Sequence, residues 1–132
     1  MMPSGEYYVG DLCYVLHERW DEVCNLIIKG NKCLDGEFEL ADGTKFAIYG
    51  TAYGDGTYRD LVGNEYWVDA GSIGCVLMKD IDLSVEGNQT MGGQIIDFKN
   101  DFITSYDNGV IKFGSVHIDT DPVEEEEEYY GN

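Results

Sequence analysis

Positive charge is what this chain has least of. Eight lysines and arginines stand against 26 aspartates and glutamates in 132 residues, a formal charge of −18. Seven of the acids follow Ile118, at Asp119, Asp121 and Glu124 to Glu128. The remainder keeps 19 acids against eight bases, or −11, so it is acidic without its tail. A field of that sign repels DNA, RNA and anionic membranes. Neither nucleic acid nor a membrane is expected as a partner, and no apolar run approaches the roughly 20 residues of a membrane span.

Close cysteine pairs are absent too. Cys13, Cys24, Cys33 and Cys75 contain no CxxC, the tight knuckle that preorganises two zinc ligands. Cys13, His17, Cys24 and Cys33 have the atom types for zinc, but small buried hydrophobes are the simpler reading. Met1-Met2-Pro3-Ser4-Gly5 lacks the basic and apolar regions of a secretion signal. Reduced thiols in a cytoplasmic setting are therefore expected. No phosphate loop or GxGxxG fingerprint occurs. The two histidines, His17 and His117, sit in no nucleophile motif around Ser72 or Cys75. No metal or cofactor is expected.

What the chain does have is alternation. Phe38 and Leu40 alternate with acids, and Phe46 and Ile48 with Lys45 and Ala47, the period of half-buried strands. Between them, a three-residue Ala41-Asp42-Gly43 loop would set Phe38 opposite Phe46 and keep the apolar faces together, with Gly43 at positive φ. Asn108-Gly109 predicts a type I′ hairpin that aligns Tyr106 with Ile111 and Thr104 with Phe113. The parity switch after Phe113 predicts a bulge or bend at Gly114. Residues Glu6 to Leu16 read as extended with an interruption at Gly10-Asp11, Ile73 to Leu77 and Gln94 to Phe98 as further strands. One stretch has another period. Trp20, Val23, Cys24, Ile27 and Ile28 make the stripe of an amphipathic helix over Glu18 to Lys29. The expected fold is mainly β (α+β): a curled antiparallel sheet or small β-barrel with one amphipathic helix packed on it. A single domain over residues 1–118 is expected, followed by a disordered acidic tail at 119–132.

The segment from Ala52 to Cys75 concentrates tyrosine, glycine and aspartate: a Tyr53-Gly54-Asp55-Gly56 loop, a strand from Thr57, a Gly63-Asn64 turn and two more strands. Such residues serve sharp turns that still present polar groups. Tyr53, Asp55, Tyr58, Arg59, Asp69 and Ser72, with Asp11 from the first strand, form the candidate binding set. Tyr66 and Trp67 add aromatic surface. A calcium site at Asp55, Asp60 and Asp69 lacks the alternating ligands of an EF-hand, and turn chemistry accounts for the same residues.

Gly5-Glu6-Tyr7-Tyr8-Val9-Gly10-Asp11-Leu12-Cys13-Tyr14-Val15, Tyr53 to Tyr58 and Val68 to Gly74 together resemble small uncharacterised proteins of phages, large DNA viruses and some bacteria. The resemblance spans residues 5–79 and brings no catalytic residues. It implies an accessory protein that binds and blocks a host factor. The favoured reading is thus a non-enzymatic acidic binding module for a protein with a basic surface. One alternative is sequestration of a small nucleotide-like molecule in a tyrosine-lined pocket, for which only Arg59 and a few lysines offer positive charge. A second is a small hydrolase using Asp55 and Asp69.

Overall fold

A computed structural model describes residues 1–121, and in them two five-stranded antiparallel sheets stack face to face. The first sheet runs in the order β4 (Gly36–Glu39), β5 (Lys45–Gly50), β8 (Ser72–Leu77), β1 (Gly5–Gly10), β9 (Gln94–Phe98). The second runs β10 (Thr104–Asp107), β11 (Val110–Phe113), β12 (Val116–Asp119), β6 (Gly56–Asp60), β7 (Glu65–Val68). A two-stranded ribbon, β2 (Ile28–Lys29) with β3 (Lys32–Cys33), follows the helix α1 (Trp20–Ile27).

The period-two alternation explains the layering. Tyr7, Val9, Ala47, Tyr49, Ile73 and Cys75 point from the first sheet into the gap between sheets. There they meet Tyr58, Tyr66, Val68, Ile111, Phe113 and Ile118 of the second. Tyr49 joins the two layers, donating or accepting a 2.7 Å hydrogen bond with the Thr104 hydroxyl and packing 6.1 Å from the Phe113 ring. The intervening residues Tyr8, Phe46, Ile48 and Val76 point the other way, onto Leu12, Leu16, Val23 and Ile27. The first sheet is therefore buried on both faces, one by the second sheet and one by the helical segment. Gly74 allows the second contact, because a Cβ there would lie 2.7 Å from the Leu12 side chain and still closer to the Ala47 carbonyl.

The mainly-β expectation holds with its single short helix, and the sheets are open: they do not close into a barrel. Local pairings follow the parity argument. Phe38 pairs with Phe46 across the three-residue loop, with Gly43 at φ +92. Tyr106 pairs with Ile111 and Thr104 with Phe113, with Asn108 and Gly109 both at positive φ.

Elsewhere the structure departs from the pattern. The strand stops at the expected Gly10-Asp11 interruption, but residues 12–16 do not resume an extended course. Asp11 accepts a hydrogen bond from the Cys13 amide at 3.0 Å and bends Leu12–Tyr14 into a 3-10 turn. The helix is shorter than its stripe, because Ile28 turns to extended φ/ψ and pairs with Cys33, leaving its side chain exposed. Gly114 is not a bulge within one strand. With Ser115 it forms the tight turn between β11 and β12, which pairs Phe113 with Val116. The ordered chain also passes Ile118: Asp119 closes β12, and the fully buried Thr120 donates its hydroxyl to the Gly109 carbonyl. The remaining part of the expected tail, 122–132, lies outside the described residues.

Candidate functional site

Most of the candidate set meets at one end of the sandwich, where loops 11–14, 51–55 and 69–72 converge. Asp11 is the hub. Fully buried at the end of β1, it accepts from the Cys13 amide with Oδ1 and from the Asp69 and Ala70 amides, each at 2.7 Å, with Oδ2. The backbone ahead of β8 is thereby tied to the turn after β1. The Asp69 carboxylate, itself exposed, accepts a 2.8 Å hydrogen bond from the Tyr14 hydroxyl.

The 51–55 loop is held as firmly. The Thr51 amide donates to the Gly71 carbonyl at 3.0 Å, and the Thr51 hydroxyl to the Gly54 carbonyl at 2.5 Å. Tyr58, inside the core, reaches out to donate to the same Gly54 carbonyl at 2.9 Å. The Ala52 amide donates to Thr120 Oγ1 at 3.0 Å. On this frame Tyr53, 55 % exposed, and Asp55 stand at the loop crest. Ser72 opens β8 opposite Gly50 and is half-buried.

The candidate residues thus separate by role. Asp11 and Tyr58 are inside the scaffold, whereas Tyr53, Asp55 and Asp69 are presented to solvent. Arg59 is apart from them. It pairs in register with Glu65 on the outer face of the second sheet, its Nε and Nη2 donating to the Glu65 carboxylate at 3.2 and 2.7 Å. Alternation explains this, since Tyr58 points inward and its neighbour must point out. Two residues outside the set join the end. Tyr14 and Trp67 flank Gly92, where a Cβ would meet the Tyr14 ring at 2.9 Å and the Trp67 Cβ at 3.3 Å. Trp67 is half exposed. Its place was readable from Tyr66 and Val68, which both point inward; Tyr14 carried no such signal.

Reactive chemistry is muted here. Burial, then the hydrogen bond and charge of Asp11, pushes the Cys13 thiol up to about 12, so almost no thiolate exists near neutral pH. Burial and the bond to Asp69 likewise raise the Tyr14 phenol. A cavity of about 340 Å³ lies beside the end, between α1, the β2–β3 ribbon and the start of β8. Trp20, Ile27 and Ile48 give it apolar walls, Cys24 and Cys33 contribute thiols, and Ser72 reaches its edge. No lysine or arginine lines it, so an anionic ligand would find no counter-charge there. Among the described residues no three His, Cys, Asp or Glu side chains converge on a point that could hold a metal. No family model matches the chain, and neither a curated protein nor a solved structure does.

Proposed function

We propose that the protein is an acidic binding module that occupies a basic surface of a partner protein, with the loop end as its docking face. Tyr53 and Trp67 supply aromatic contact area, the latter from the end of β7, and Asp55 and Asp69 supply charge, on loops whose backbone is fixed by hydrogen bonds to Asp11, Thr51 and Tyr58. Preorganised loops lose little entropy on docking. The observation that carries the reading is the disposition of charge. Five of the eight bases, Arg19, Lys45, Arg59, Lys79 and Lys99, are already in ion pairs with the chain's own carboxylates. The hydrogen bonds that build the loop end involve no lysine or arginine. A partner therefore meets uncompensated negative charge, which speeds encounter with a basic face and selects against acidic ones. Blocking the partner's other contacts is the role that the resemblance to phage and viral proteins implies.

The test is capture of a partner from host lysate, its identification, and titration of the purified pair against salt. Affinity should fall with ionic strength. Asp55→Asn with Asp69→Asn should weaken binding about tenfold, a loss on the order of 1.4 kcal/mol, while the melting temperature stays near wild type. Undiminished binding by the double variant removes the loop end as the docking face.

A further inference from the structure

The edge of the first sheet carries a second surface. β9 is its last strand, pairing with β1 on one side and with no other strand among the described residues. An outermost antiparallel strand leaves alternate backbone N–H and C=O groups directed outward, a template for one more strand. The other sheet's edge at β7 is partly covered, since the Trp67 amide donates to the Gly92 carbonyl and the Gln94 side chain to the Glu65 carbonyl. β9 instead faces a groove. One cleft of about 270 Å³ lies between Ile96 and the Leu61-Val62 turn, with Val116 in its wall. A second, of about 400 Å³, continues toward Phe102 and shares Ile96 and Ser115 with the first. Leu61 and Val62 are 77 % and 82 % exposed, the highest values among the described large apolar residues. Two adjacent aliphatic side chains held in water beside an open strand edge mark an interaction surface.

Charge decides the occupant. Asp60, Asp97 and Asp101 border the groove, and its lone lysine, Lys99, is held by Asp97 at 2.5 Å. A second copy would bring the same −18 charge against this rim, and the chain's own Glu124 to Glu128 run carries the same sign. We propose that the β9 groove receives an extended segment of another protein in which apolar residues alternate with lysine or arginine, added as a sixth strand of the first sheet. Its apolar side chains would enter between Ile96, Val116 and Val62, and its basic ones, on the opposite face of the strand, would lie beside Asp97 and Glu6. The inference stands on the strand edge and shares with the loop-end reading only the sign of the partner's charge.

The probe is a synthetic peptide of about nine residues alternating valine with lysine, added to the isotope-labelled full chain and followed by amide NMR. Shifts should centre on Ile95–Phe98, Leu61, Val62 and Val116, and binding should weaken severalfold as salt is raised. Two peptides N-methylated on opposite sets of alternate residues should behave unequally, because only one set faces the strand. Leu61→Ser with Val62→Ser should weaken binding about tenfold, whereas Asp55→Asn with Asp69→Asn should leave it unchanged. Equal binding of a valine–glutamate peptide, equal effects of the two N-methylated sets, or shifts confined to the loop end would each overturn the proposal. So would sedimentation showing a dimer abolished by the Leu61 and Val62 changes, which makes the occupant a second copy. Slow exchange of the Ile95–Phe98 amides in the free chain, coupled to resonances of 122–132, would make it the chain's own tail.

Discussion

At the scale of single residues, Asp11 shows how a polar group can be both buried and indispensable. Its carboxylate accepts three amides and makes no contact with solvent. Asp11→Ala would leave those donors unpaired and should cost about 3–5 kcal/mol in urea unfolding; Asp11→Asn, which keeps one acceptor oxygen, should cost less. Asp60 makes a different prediction. Partial burial works against its charge, but bonds from the Tyr66 hydroxyl at 2.7 Å and from Asn64 and Val62 outweigh it and hold its pKa below the ordinary value. A depressed carboxylate stabilises the fold fully above the unfolded pKa of about 3.9, and that contribution is lost as pH falls through the folded value. Asp60→Asn should therefore flatten the acid limb of a stability–pH curve below about pH 4, and an unchanged limb would show the turn to be held by other groups. Of the seven candidate residues, Tyr53 and Asp55 were legible as turn residues next to glycine. The structural work of Asp11 was not, because two of the three amides it binds lie 58 and 59 positions away.

At the scale of elements, what was legible was local. The hairpins at Gly43 and at Asn108-Gly109 have registers set by loop length and parity, both contained in a dozen residues. The helix was legible in its existence and not in its end, since the pairing of Ile28 with Cys33 competes with another helical turn. That competition changes the energetics of the stripe. Val23 and Ile27 are buried, while Trp20 only leans on the core and Ile28 is outside it. Ile27→Ala should cost about 2–4 kcal/mol, as a buried aliphatic truncation does. Trp20→Ala should cost only about 1–2 kcal/mol, because a partly exposed ring at the edge of the core has less transfer energy to lose. Chemical denaturation of both variants tests the order, and a larger loss at Trp20 would place its ring deeper than α1 now holds it.

At the scale of the whole molecule, the stacking of two sheets and the order of their strands were beyond sequence parity, because continuous burial on both faces of β1, β5 and β8 hides which neighbour each strand takes. One global consequence is alkaline. Tyr7, Tyr8 and Tyr66 are fully buried, and burial, joined at Tyr66 by the bond to Asp60, raises all three phenols. A raised phenol leaves the fold's stability whole below the unfolded pKa of about 10; above it, only the unfolded chain ionises, costing up to about 1.4 kcal/mol per pH unit for each tyrosine. Stability should therefore drop steeply above about pH 10, with Tyr8→Phe reducing the slope, and a flat profile there would contradict their burial. The strand order has a consequence in time. β1 occupies an interior place in the first sheet, between β8 and β9, so its flanks are made only when residues 72–77 and 94–98 have been synthesised. At about 5–20 residues per second, those partners arrive roughly 3–18 s after β1 leaves the ribosome. Until then Tyr7, Tyr8 and Val9 are an unpaired apolar strand, open to chaperones and to neighbouring nascent chains. The earliest strand of that sheet to be made is the last to be flanked on both sides.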